Sequence, residues 1–86
     1  MHVTYRCNFD AMCPMKPKIV DHYTLLIEAG SMIKAEDLRE LLNGYADKAM
    51  FQEDITQDIA TRLAPATKVT TTGFHSGVET VCVVTL

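Results

Sequence analysis

Leu38-Arg39-Glu40-Leu41-Leu42-Asn43-Gly44-Tyr45-Ala46 is the stretch on which the fold turns. Leu38, Leu41, Leu42, Tyr45 and Ala46 follow the i, i+3, i+4, i+7, i+8 spacing of one helical face. Glu36, Asp37, Arg39 and Glu40 lie on or near the opposite side, and the acidic pair suits the positive end of the helix dipole. Gly44 costs such a helix up to about 1 kcal/mol relative to alanine, so an irregular last turn is expected. A short connection, Asp47 to Phe51, leads to a second helical pattern. Ile55, Ile59, Ala60 and Leu63 form its apolar face, Glu53 and Asp54 stand at its start, and Pro65 follows its end.

Outside this helical middle the period changes to two. Val3, Tyr5, Cys7 and Phe9 alternate with His2, Thr4, Arg6 and Asn8, the pattern of a half-buried strand. Tyr23, Leu25, Ile27 and Ala29 alternate with His22, Thr24, Leu26 and Glu28 in a second strand that Gly30-Ser31 stops. Leu26 falls on the polar side, which points to partial cover there too. Lys68 to Thr72 is β-branched and reads as a third strand, Gly73 to Gly77 as a hairpin connection, and Val78 to Leu86 as a fourth strand. Strands at both ends and helices between predict one α+β domain over residues 1–86. Its order is ββααββ, with a four-stranded antiparallel sheet and both helices on one face.

Composition sets further bounds. A chain of 86 residues buries only about 60–65% of its unfolded surface. It has no tryptophan, and three tyrosines and three phenylalanines to fill a core, so a homo-oligomer is expected. The net charge of −3 argues against a large phosphate-binding face. Three cysteines without paired spacing fit a reduced, cytoplasmic protein better than a disulfide scaffold. No run of about 20 apolar residues is present to span a membrane. The first six residues lack the basic-then-apolar order of a signal peptide.

The chemistry-bearing segment is Phe9-Asp10-Ala11-Met12-Cys13-Pro14, closed by Val20-Asp21. Pro14 cannot continue a strand ladder and holds Cys13 extended, at the start of a loop containing Met15-Lys16-Pro17-Lys18. A thiol presented there, with Asp21 able to fold back toward it, is a candidate nucleophile with a candidate acid. The plainer alternatives are a small buried cysteine beside a turn and a strand-edge aspartate. Cys7 and Cys82 alternate with apolar residues and are expected in the core. Cys13, His22, His75 and Cys82 are metal-ligand types, but no Cys-x-x-Cys or His-x-x-x-His pair occurs, so no metal site is expected.

Three segments together carry a resemblance. Cys13-Pro14 with Val20-Asp21 resembles the Cys-Pro…Asp segment of 7-cyano-7-deazaguanine (nitrile) reductases. Phe51-Gln52-Glu53-Asp54 is similar to that family's Phe-His-Glu-Asp/Glu segment, with Gln52 in place of the histidine. Gly73-Phe74-His75-Ser76-Gly77-Val78 is similar to its last hairpin. The resemblance runs from about Cys7 to Val84. It implies the tunnelling fold, in which subunits join sheet edges into a ring-shaped barrel and bind purine or pterin bases at subunit interfaces. It implies that Cys13 attacks the nitrile carbon to form a thioimide, that Asp21 supplies a proton, and that Glu53 grips the base. Gln52, Phe74 and His75 would complete the substrate pocket.

The stretch that serves NADPH in the reductases corresponds here to Lys34-Ala35-Glu36-Asp37-Leu38-Arg39-Glu40, in which two of the charges are reversed. The chain therefore looks closer to the non-reducing, amidine-forming branch, the archaeosine-type amidinotransferases. These use no nicotinamide and let ammonia displace the thiol. The implied alternatives are an NADPH-dependent nitrile reductase and an inactive protein that only binds the 7-deazaguanine base. The base could be free or part of a nucleic acid; the acidic balance sits poorly with a transfer-RNA surface, which leaves the free base or a base destined for another nucleic acid.

Overall fold

A computed structural model describes residues 1–16 and 18–86 of the chain. The elements run β1 (Val3–Met12), β2 (Val20–Ala29), α1 (Ala35–Asn43), α2 (Gln52–Arg62), β3 (Ala66–His75) and β4 (Val78–Thr85). The ββααββ order read from the periodicities is the observed one. The four strands form one antiparallel sheet in the order β1-β2-β3-β4. β2 and β3 are neighbours although both helices lie between them in the chain.

Alternation assigns the two sheet faces. Phe9, Ala11, Tyr23, Leu25, Ile27, Ala29 and Val69 are buried in one cluster with Leu38 and Leu42 of α1 and Ile55, Ile59 and Ala60 of α2. Both helices therefore cover the same face, because a side-chain period of two can supply only one apolar face per strand. Cys7 packs against this cluster as expected. The other face carries Thr4, Arg6, Asn8 and Asp10 of β1 and Val81 and Val83 of β4, all exposed. Leu26 lies on that face and is half-buried in the central strand β2.

Several element boundaries differ from the sequence reading. α1 ends at Asn43, and the chain continues through a turn in which the Tyr45 and Lys48 N–H groups donate to the carbonyls of Leu42 and Tyr45. Tyr45 still reaches the core, but through the turn rather than the helix face, and Ala46 is exposed. The first strand continues past Phe9 to Met12, and the second starts at Val20, so the ladder pairs Ala11 with Asp21. The last connection is shorter than expected: Gly73, Phe74 and His75 belong to β3, and only Ser76-Gly77 turns the chain. Both have positive φ, 52° and 78°, as the tight type I′ hairpin turn requires.

The loop that positions Cys13 is tied at both ends. The Met12 N–H donates to the Lys48 carbonyl at 2.9 Å, and Met12 makes a parallel bridge to Ala49. The Cys13 N–H donates to the Ile19 carbonyl, and the Ile19 N–H to the Lys16 carbonyl, each at 2.9 Å. Pro17 lies outside the described residues. The bridge to Ala49 is what brings the start of α2 beside the end of β1.

Candidate active site

A cavity of about 260 Å³ opens between the end of β1, the start of β2, the start of α2 and the β3–β4 hairpin. Ligand pockets usually run from about 300 Å³ upward, so this one suits a single planar ring system rather than an extended molecule. Cys13 and Asp21 stand on its wall together with Gln52, Glu53 and His75. Five residues singled out in the sequence thus share one pocket within a single protomer. Phe51 and Pro14 add apolar surface.

Phe74 stands apart. It pairs with Glu79, points to the sheet face opposite His75, and is 64% exposed. The reason is the hairpin: once β3 runs through His75, consecutive residues must face opposite ways. Phe74 lines a neighbouring depression of about 640 Å³ that shares Cys13, Asp21 and His75 with the first and adds Lys16 and His22. His22 is held there by Asp10, with Nδ1 and Oδ1 2.7 Å apart.

Gln52 is 3% exposed, and its whole amide is engaged. Its Nε2 donates to the carbonyls of Thr71 at 3.1 Å and Thr80 at 2.9 Å, with Thr71 Oγ1 also 3.2 Å away. Its Oε1 lies 2.8 Å from His75 Nε2. Two carbonyls at the nitrogen end settle the amide orientation, since the reverse would set oxygen against oxygen. The side chain therefore bridges α2 to both strands of the hairpin, and its contact with His75 is through an acceptor. Thr56 continues the network, with its Oγ1 2.7 Å from the Gln52 carbonyl and 2.6 Å from Thr71 Oγ1.

Tyr23 is a pocket residue that the sequence reading assigned only to the strand core. Its ring stacks on Phe9 with centroids 5.3 Å apart and lies 6.0 Å from the His75 ring. Its hydroxyl donates to Asp21 Oδ2 at a long 3.4 Å. Burial first, then the Asp21 carboxylate, pushes the phenol well above its ordinary range. The i, i+2 spacing of Asp21 and Tyr23 on one strand face was the available signal.

The other two thiols sit in different surroundings. Burial pushes Cys7 up, opposed by the Arg39 charge. Burial and then the Glu53 carboxylate push Cys82 up, opposed by a hydrogen bond with Thr56. Lys16 and Lys18 are exposed. The Lys34–Glu40 stretch enters and forms the first turns of α1 and shares no wall with the cavity at Cys13. Among the described residues, no group of three or more His, Cys, Asp or Glu could hold a metal ion, and no helix is long and apolar enough to cross a membrane.

The fold and site together define a small α+β protein that gathers a thiol, two carboxylates and an imidazole around one cavity. No protein-family model matches the chain, and no curated protein matches it.

Proposed function

We propose that this chain binds 7-cyano-7-deazaguanine in the Cys13 cavity and converts its nitrile to an amidine with ammonia, through a thioimide on Cys13. The observation that carries the reading is the convergence of Cys13, Asp21 and Glu53 on one pocket from the loop after β1, from β2 and from α2. A carboxylate facing the ring N–H and the exocyclic amine of a guanine-like base accepts two parallel hydrogen bonds, a strong and selective grip on that edge. With Glu53 holding the base, the thiolate sulfur adds to the nitrile carbon, and Asp21 gives its proton to the nitrile nitrogen as charge develops there. Ammonia then adds to the thioimide carbon, the carbon–sulfur bond breaks, and the pair returns to sulfur. The reaction needs no nicotinamide, in keeping with the acidic character of α1, where Glu36, Asp37 and Glu40 are exposed. The base is taken free or as part of a nucleic acid.

The assembly proposed with this function is the tunnelling-fold ring. β1 and β4 are the two edges of the sheet, ten and eight residues long; among the described residues no further strand pairs with either, and β1 is tied on its outer side only at Met12, by Lys48 and Ala49, and at the Asn8 carbonyl, by Arg39. Long bare edges invite strand pairing with another chain, and Val78, Val81, Val83 and Leu86 leave apolar side chains exposed along β4. The setting proposed is the cytoplasm, where thiols stay reduced.

Intact-mass spectrometry after mixing with the nitrile base tests the reading. A covalent adduct is expected in the native protein and not in Cys13→Ala. Added ammonium should discharge the adduct as the amidine, with NADPH absorbance unchanged. Absence of any adduct overturns the covalent mechanism. Steady NADPH oxidation would make the protein a nitrile reductase, and an adduct that persists in ammonium would make it a base-capturing protein without turnover.

A further inference from the structure

We infer that His75 is the base that takes the proton from incoming ammonia, and that Gln52 is the positioning residue that sets its tautomer. This rests on the amidine-forming reading and deepens it. The Gln52 amide is oriented by the two carbonyls at its nitrogen, so Oε1 is the atom that meets His75 Nε2 at 2.8 Å. Oε1 can only accept, so Nε2 carries the hydrogen in the neutral ring and Nδ1 carries the lone pair. Among the described residues, Nδ1 takes no hydrogen bond, and the His75 side chain lines the cavity that holds Cys13.

The tautomer matters because the two halves of the reaction need different groups. Thioimide formation consumes a proton, and Asp21 is placed to supply it. Release produces one. When the ammonia nitrogen bonds to the thioimide carbon it becomes positively charged and must lose a proton before the amidine can form. His75 Nδ1 accepts that proton, the carbon–sulfur bond breaks, and the thiolate left on Cys13 recovers a proton from the imidazolium. The balance is one thioimide and one ammonia in, one amidine and one free thiol out. The titratable groups sharing the cavity with the ring are Cys13 just past β1, Asp21 and Tyr23 on β2, and Glu53 on α2, and the adjoining depression that His75 also lines adds Lys16 and His22. Tyr23 is held protonated by burial and by Asp21, so it cannot serve as the base.

The test separates adduct formation from adduct discharge. In His75→Asn the thioimide should still form, and its discharge should slow about 100-fold or more, the usual scale for losing a general base and a far larger factor than any change in its formation. Its discharge rate should also lose most of its dependence on pH. Gln52→Met should slow discharge in the same way while Cys13 still forms the adduct. Nitrogen NMR of the native protein should show His75 protonated at Nε2 and bare at Nδ1. Native discharge with His75→Asn equally fast overturns the inference and leaves the amidine reading standing. A bare Nε2 overturns the role of Gln52. A native protein that forms no amidine overturns the reading and the inference together.

Discussion

Tyr23 joins the core to the cavity. One side of its ring stacks on Phe9, its hydroxyl reaches Asp21, and its edge lies near His75. Tyr45 is placed comparably, with Phe9 beside its ring and its hydroxyl donating to Asp58 Oδ2 at 2.5 Å. Burial followed by the carboxylate raises both phenols above their ordinary value. The folded chain thus holds two protons that the unfolded chain gives up more readily. Their contribution is complete below the ordinary phenol value of about 10 and is lost as pH climbs beyond it. The urea midpoint should therefore fall between about pH 9 and about pH 11, and Tyr45→Phe should flatten that fall. A midpoint that stays level across the interval would show that neither phenol is held this way.

At the scale of elements, the β3–β4 hairpin does the most to shape the site. Gly73 lies under Tyr23: a Cβ built there would come within 2.6 Å of two atoms of the Tyr23 ring. Tyr23 is 2% exposed and its ring is stacked on Phe9, so it can give way only by shifting with that neighbour. Gly73→Ala should therefore cost about 1–3 kcal/mol, the range for overpacking a filled core, read as a drop in the urea midpoint. The loss should shrink in a Tyr23→Leu background, since the clash is with that ring. At the tip, Gly77 has φ of 78° and open space around it, so Gly77→Ala meets only backbone strain, about 1–2 kcal/mol. Ser76→Asn, which enters positive φ more readily, should hold or raise the midpoint. Equal losses from the two tip substitutions would mean that the turn is not of the type I′ kind.

For the molecule as a whole, the unusual feature is the imbalance between its two sheet faces and its two sheet edges. One face is sealed by both helices, the other carries polar and valine side chains in the open, and among the described residues no further strand pairs with either edge, apart from the Met12–Ala49 bridge on β1. Sedimentation velocity should give a mass several times the 9.6 kDa of the protomer. A lysine at Val83, exposed on β4, should shift the protein toward smaller species without unfolding it. A native protein that sediments as the protomer at micromolar concentration would exclude the ring. The site would survive that result, because Cys13, Asp21 and Glu53 already share one protomer's cavity.

The order of elements was legible in the residues because a helical face and a strand face have different periods, and each is a property of neighbours along the chain. The apolar positions of β1, β2 and α2 went where that periodicity sent them. Cys13 and Asp21 could be named early because proline, loop and strand edge mark them locally. What tertiary structure alone decided were matters of registry between distant segments. The end of β1 is bridged to Ala49, which carries Glu53 to the cysteine. β3 runs on to His75, which turns Phe74 away and His75 inward. The Gln52 amide lies between two strand carbonyls, which leaves only its oxygen for the imidazole. None of these has a local signature, since each depends on which backbone groups meet after the sheet has closed.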